Sequence, residues 1–243
     1  MTSQTPEFLK SELPAIQLFE KLGYQYFDAS KHDERASINE VILETRLKSA
    51  IKRINPWLNE NNINNAFKEI TAVASASLME ANEFIHKLLS SQEYTPKQII
   101  DGKETYKGVS YIDFENIENN DFLLVNQMKF KGLENNSIPD LVVFINGMPL
   151  SVIECKSPKL QGAEQEAISD LKYYQVNSEK LFRYNQICVA AYKVGGRYGA
   201  IGAKEEHYQV YRTEDTKSLE ALLGSKPTAQ DILLYNLFDK ERF

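Results

Sequence analysis

Three charged residues near the middle of the chain have the types and spacing to do chemistry. They are Asp140, which follows Ile138-Pro139, and the pair Glu154 and Lys156, which flank Cys155 after thirteen intervening residues. In a β-strand, residues two apart share a face, so Glu154 and Lys156 project together while Ile153 and Cys155 point to the opposite, packed side. A Glu and a Lys side by side on an otherwise apolar strand need a reason, because half-buried carboxylates are costly unless a cation pairs with them. Mg²⁺ favours a site of a few carboxylates completed by water and phosphate oxygens. Asp140 and Glu154 can form that clamp. A metal there would stabilise charge on a scissile phosphate and lower the pKa of bound water, with Lys156 placing the attacking water and adding positive charge. Taken singly, Pro139-Asp140 reads as a turn, and Glu154 with Lys156 as a solvated pair on an edge strand. Together, with a hairpin between them and a helix after them, they point to chemistry.

The elements that must position these groups start with that hairpin. Leu141–Ile145 and Leu150–Lys156 read as strands joined at Asn146-Gly147, a strong two-residue turn signal. A strict two-residue turn pairs Ile145 with Met148, which sets Asp140 opposite Ile153 and turns Glu154 to the other face. A shared site needs Asp140 opposite Glu154, hence one extra residue. Pro149 lacks an N–H and suits an irregular ladder, so we expect a three-residue loop at Asn146–Met148 or a bulge within Met148–Leu150. A helix over Ala163–Asn177 and a strand over Ile187–Tyr192 follow, then strands around Tyr198–Ala203 and Tyr208–Tyr211. Upstream, strands are expected over Tyr106–Phe114 and Phe122–Phe130, around an Asn-rich turn at Asn116–Asn120. The first half reads as helices over Phe8–Leu22, Ser37–Ile54 with a Ser37-x-x-Glu40 capping box, Asn62–Val73 and Leu78–Leu89. From Pro227 an amphipathic helix carries Ile232, Leu233, Tyr235, Leu237 and Phe238, and its uncapped end at Arg242-Phe243 suggests the edge of a longer protein. The result is an α/β (α+β) chain with a mixed central sheet flanked by helices.

Composition bounds the rest. With 243 residues, 42% of them apolar and 11% aromatic, the chain can bury a substantial core. Its net charge of −6 argues against non-specific coating of nucleic acid. One stretch is locally basic: residues 156–204 hold eight Lys and Arg against four Asp and Glu, weak support for a phosphate-facing side. Cys155 and Cys188 both sit in apolar runs, which suits a reducing cytosol. No leader, membrane span, nucleotide loop or zinc-ligand spacing is visible, His32, His86 and His207 being far apart, so a soluble, cytoplasmic protein is expected.

The Pro-Asp…Glu-x-Lys arrangement resembles the PD-(D/E)xK nuclease superfamily. More specifically, the run from Asp140 through Leu-Val-Val-Phe-Ile-Asn-Gly-Met-Pro-Leu-Ser-Val-Ile-Glu-Cys-Lys is similar to the N-terminal part of the restriction (R) subunit of Type I restriction-modification enzymes. The likeness extends to Glu40–Pro56 upstream and Lys180–Gln186 downstream. It implies a restriction-endonuclease-like core whose hairpin carries the catalytic Asp140, Glu154 and Lys156. It also implies Mg²⁺-dependent cleavage of double-stranded DNA, coupled to an ATP-driven motor further along the same polypeptide. The implied partners are DNA and the modification and specificity subunits. Residues 1–225 would be the nuclease domain and 226–243 a helical linker toward the motor. In relatives, a Gln-x-x-x-Tyr motif on the helix after the Lys supports the site. Tyr174 matches it, but Asp170 stands where the Gln would be. We expect Asp170 to lie near Lys156 or Lys172 rather than to bind metal directly. An acidic residue from the first core helix joins the metal site in some relatives. Glu40 and Glu44 are the candidates here, although Glu40 completes the capping box and Glu44 is spaced to pair with Lys48. Two alternatives are a stand-alone nuclease or resolvase of the same superfamily, and a DNA-binding or assembly module with an inactive site.

Overall fold

The computed structural model describes residues 5–31, 33–75, 77–213 and 216–242. His32 and the first four residues lie outside them. A π-helical turn, Phe8–Glu12, runs directly into α1 (Leu13–Lys21), and then come β1 (Gln25–Asp28), α2 (Glu44–Ile54), α3 (Glu60–Thr71) and α4 (Leu78–Ser91). A small hairpin of β2 (Lys97–Ile100) and β3 (Lys103–Tyr106) stands apart from β4 (Phe122–Asn126), β5 (Leu141–Ile145) and β6 (Met148–Lys156). The chain continues through α5 (Ala163–Asn177), α6 (Glu179–Phe182), β7 (Ile187–Tyr192), β8 (Gly195–Gly199), α7 (Lys217–Leu223) and α8 (Ala229–Phe238).

Six strands form one mixed sheet in the order β1-β4-β5-β6-β7-β8. β1 runs parallel to β4 and β6 parallel to β7, while the other neighbours are antiparallel. One face packs on Ala15, Leu47, Ile70, Ile85 and Leu234 of the surrounding helices. The other packs on Ala167, Ile168 and Leu171 of α5 and on Leu181 and Phe182 of α6. Every residue of β4, β5 and β6 is buried. Covering both faces explains why these strands are continuous apolar runs rather than alternating ones.

The register of the β5–β6 hairpin decides which side chains share a face. Asn146 (φ 52°) and Gly147 (φ 79°) make the tight turn, with Ile145 paired to Met148. A Cβ on Gly147 would sit 2.6 Å from the carbonyl oxygen of Leu43, so only glycine fits there. The ladder slips between Val143 and Phe144: Phe144 faces Pro149 and Val143 faces Ser151, which leaves Leu150 as the extra residue. The bulge expected within Met148–Leu150 is therefore present. Met148 and Leu150 pack on the same face as Ile153 and Cys155, whereas Val152 packs on the other, so the alternation changes phase at the bulge. Beyond it Leu141 faces Ile153, and one step further Asp140 comes opposite Glu154.

Several expected elements differ. Residues 37–43 are not helical. Ser37 and Glu40 do form a turn, with Ala36 N–H donating to the Glu40 carboxylate, but Lys131 N–H takes the Ile38 carbonyl and Leu43 N–H donates to Gly147. Pairing with distant segments keeps the backbone out of a helix until Glu44. The strand expected at Tyr106–Phe114 ends at Tyr106. Beyond it the Asn55 side chain bonds both the N–H and the carbonyl of Ser110, substituting for a ladder, while Val109, Tyr111 and Ile112 fill the core. The strand from Phe122 stops at Asn126, the one near Tyr198 spans Gly195–Gly199, and Tyr208–Tyr211 contributes a single bridge, Gln209 to Tyr198. β1, a short edge strand of mixed burial, was not expected at all. The helix expected from Pro227 is α8, capped by a Thr228–Asp231 capping box, and its Leu233, Leu234 and Phe238 join the same core as α1.

Candidate active site

The end of the sheet away from the Asn146-Gly147 turn gathers the charged residues. β6 carries Glu154 and Lys156 onto the α5 side, and Asp140 arrives just before β5. All three are less than a tenth exposed. The Asp140 carboxylate accepts from Cys155 N–H at 2.7 Å and from the Gln127 side-chain amide at 2.8 Å. Lys156 Nζ lies 3.0 Å from Glu154 Oε1 and 2.6 Å from Asp170 Oδ2. Asp170 on α5 thus sits beside Lys156, as its position on the crossover helix suggested. Tyr174, one turn further along α5, is partly packed against the adjoining apolar cluster.

The electrostatics follow from burial. Asp140 is pushed up to about 6, chiefly because it is removed from water and despite the Cys155 N–H bond. Glu154 is held well above the usual carboxylate range by burial and then by the Asp140 charge. Burial alone would lower Lys156, but the Glu154 and Asp170 carboxylates outweigh it and keep the ammonium protonated. The Tyr174 hydroxyl is raised by burial and then by Glu154, Asp170 and Asp140, which places it within electrostatic reach of the cluster. Glu154 Oε2 is buried with no hydrogen-bond partner among the described residues.

A fourth acidic residue belongs here, and the sequence reading passed it over. Glu12, at the end of the π-helical turn, is 3% exposed. It accepts from Asn126 Nδ2 at 3.1 Å and from Gln127 Nε2 at 3.3 Å, and burial, foremost, pushes it up to about 7. Ser11 fixes the turn by donating to the Lys156 carbonyl at 2.7 Å. The signal was present in the chain: Glu12 falls four residues after Phe8 and four before Ile16, inside the apolar stripe of that helix.

Glu40 and Glu44 are not brought to the site. Glu44 pairs with Lys48 at 2.7 Å and is exposed, and Glu40 is likewise at the surface, bonded to Ala36 N–H. α2 docks on the turn end of the hairpin through Leu43 and Gly147, so the length of β5, roughly 17 Å at about 3.3 Å per residue, separates its start from Asp140.

Among the described residues no group of three or more His, Cys, Asp or Glu is arranged to hold a metal ion by itself. A cation would therefore rest on Asp140 and Glu154 and complete its shell with water and phosphate oxygens. The donor set fits a hard divalent ion: its oxygens are carboxylate, burial makes their charge costly, and Glu154 Oε2 has no other partner among the described residues.

Residues 4–207 match the family described as Type I restriction enzyme R protein N terminus. Over 251 residues the chain is 33% identical to a Methanocaldococcus jannaschii protein provisionally named a type I restriction enzyme MjaIXP endonuclease subunit, with 95% of this chain and 24% of that protein covered. The type I restriction enzyme HindI endonuclease subunit of Haemophilus influenzae is 28% identical over 229 residues, which cover 90% of this chain and 21% of that protein. The chain spans between a fifth and a quarter of the length of these relatives. No helix among the described residues is long and apolar enough to cross a membrane.

Proposed function

The chain belongs to the family of Type I restriction enzyme R protein N termini, and from that premise we propose that it is the DNA-cleaving part of such a subunit. In this reading it hydrolyses phosphodiester bonds of double-stranded DNA at a Mg²⁺ site shared by Asp140 and Glu154. The observation that carries the reading is the phase change at Leu150, which sets Asp140 opposite Glu154, whose Oε2 is buried without a partner among the described residues.

When bound, the metal supplies Lewis-acid stabilisation of the phosphate and a more acidic water. The protein's own residues do the remainder. Asp140 is oriented by Cys155 N–H and Gln127, so its carboxylate needs no rearrangement to bind. Lys156, pinned between Glu154 and Asp170, stays protonated and offers N–H donors to a phosphate oxygen or to the attacking water. Glu12 adds negative charge on the far side of Gln127 and can take up a proton near neutral pH. Tyr174 walls the site from the α5 side.

We further propose that the remaining length of the full protein carries an ATP-dependent translocating motor, and that modification and specificity subunits bring this domain to DNA. Residues 226–243 would lead toward the motor. Plasmid cleavage with Mg²⁺ by the full assembly, comparing wild type with Lys156→Ala, tests the reading. Cleavage lost in the variant, with ATP hydrolysis retained, is the expected result. Cleavage at wild-type rate would overturn it.

A further inference from the structure

Four described residues other than glycine have a left-handed backbone: Gln92, Asp101, Gln127 and Asn146. Gln92 caps the C-terminus of α4, and Asp101 and Asn146 occupy hairpin turns, where such a backbone is ordinary. Gln127 (φ 51°) does neither; it follows the last residue of the central strand β4. A non-glycine residue held there costs on the order of 1 kcal/mol or more, and persists only where surrounding contacts impose it.

Those contacts all lead to two acidic residues. Gln127 N–H donates to the Asp140 carbonyl at 2.9 Å. Its side-chain amide donates to Asp140 Oδ1 at 2.8 Å and to Glu12 Oε2 at 3.3 Å, so each hydrogen of one NH₂ group serves a different acid. These acids come from separate elements: Glu12 from the N-terminal helical turn, through Asn126 at the end of β4, and Asp140 from the start of β5. Two buried carboxylates can be held together by a cation or by neutral donors. A Lys or Arg would cancel the charge that attracts a metal. A neutral amide orients both and leaves their charge available.

We propose that Gln127 is a positioning residue that holds the Asp140 carboxylate in place, braced against Glu12, for a divalent cation shared by Asp140 and Glu154, while preserving the charge of the acids. This rests on the metal site proposed above. The residue touches neither DNA nor the reacting atoms in that scheme and acts through the two acids.

Two variants of the whole chain test it, with Mn²⁺ binding measured by calorimetry and thermal unfolding measured without metal. Gln127→Gly removes the amide and adopts the left-handed backbone without strain. It should melt at or above the wild-type temperature yet bind Mn²⁺ about tenfold more weakly, the usual cost of losing a supporting partner of a ligand. Gln127→Lys can still donate to both acids but neutralises them, and should bind more weakly still while remaining folded. A purely structural role predicts the opposite order, with the glycine variant unstable and the lysine variant binding normally. Affinity within twofold of wild type in either folded variant overturns the proposal and leaves the metal site standing. If the wild-type chain itself binds no Mn²⁺, the metal site and this proposal both fall.

Discussion

The two ends of the β5–β6 hairpin are built from the same kind of material and treat it in opposite ways. At the turn end, Asn146 is fully buried and nearly every bond it can make is made. Its amide donates to the Tyr111 carbonyl and to Asn120 Oδ1, and its own oxygen accepts from Asp121 N–H. At the open end, Glu154 Oε2 is buried without a partner among the described residues, and Asp140, Glu154 and Glu12 are all pushed above their ordinary range. Buried polar groups are normally satisfied, so the first end reads as stability and the second as unbalanced charge kept for a ligand.

The largest expected effects lie at the open end. Asp140→Ala, Glu154→Ala and Lys156→Ala should each lower DNA cleavage by the full assembly at least about 10²-fold, because charge stabilisation normally supplies several kcal/mol. Folding and ATP hydrolysis should persist. Cutting retained within about tenfold by all three would erase the distinction between the two ends.

Asn146→Ala should do the reverse. It strands two buried partners and a half-buried one and places alanine at a left-handed backbone, for a loss on the order of 3 kcal/mol in urea unfolding with Mn²⁺ affinity of the folded protein unchanged. A loss below about 0.5 kcal/mol would show that the turn end is not where the hairpin's stability resides.

Proton linkage sharpens the contrast. Asp140 rises from 3.8 to about 6 and Glu12 from 4.5 to about 7 on folding, so each takes up protons in the folded state. Their stabilising contribution is present below the unfolded values and lost as pH rises through about 6 and about 7. Metal-free protein should therefore lose stability from these groups between about pH 4 and pH 7. Mg²⁺, which binds the deprotonated acids, should raise the melting temperature more at pH 8 than at pH 5. An equal shift at both values contradicts the placement of the cation among these carboxylates.

The smallest effect belongs to Asp170. Its side chain is 37% exposed, so its ion pair with Lys156 is screened by water and worth no more than about 1 kcal/mol. Asp170→Gln should change cleavage by less than about tenfold. Complete loss would instead make Asp170 a direct participant in catalysis.

Much of this arrangement was legible in the chain. Two-residue alternation places Glu154 and Lys156 together, Asn146-Gly147 specifies the turn, and Pro149 marks where the ladder cannot stay regular. These are local facts, governed by backbone geometry within a few residues, and the requirement for a shared site then selects the bulge. Glu12 was missed for a different reason. Its partners, Asn126 and Gln127, lie more than a hundred residues away, and an acid in an apolar stripe looks like an interruption until the facing elements are known. Glu40 and Glu44 were candidates because the resemblance implies an acid from the first core helix, and the Ser37-Glu40 spacing extends that helix on paper, yet Gly147 and Lys131 claim the backbone before Glu44 from across the fold. By itself the sequence determined the hairpin, its Asn146-Gly147 turn and the shared face of Glu154 and Lys156. Only the tertiary structure decided which helix supplies the extra acid and that one amide at Gln127 bridges it to Asp140, because those choices depend on which distant segments bury each other's polar groups.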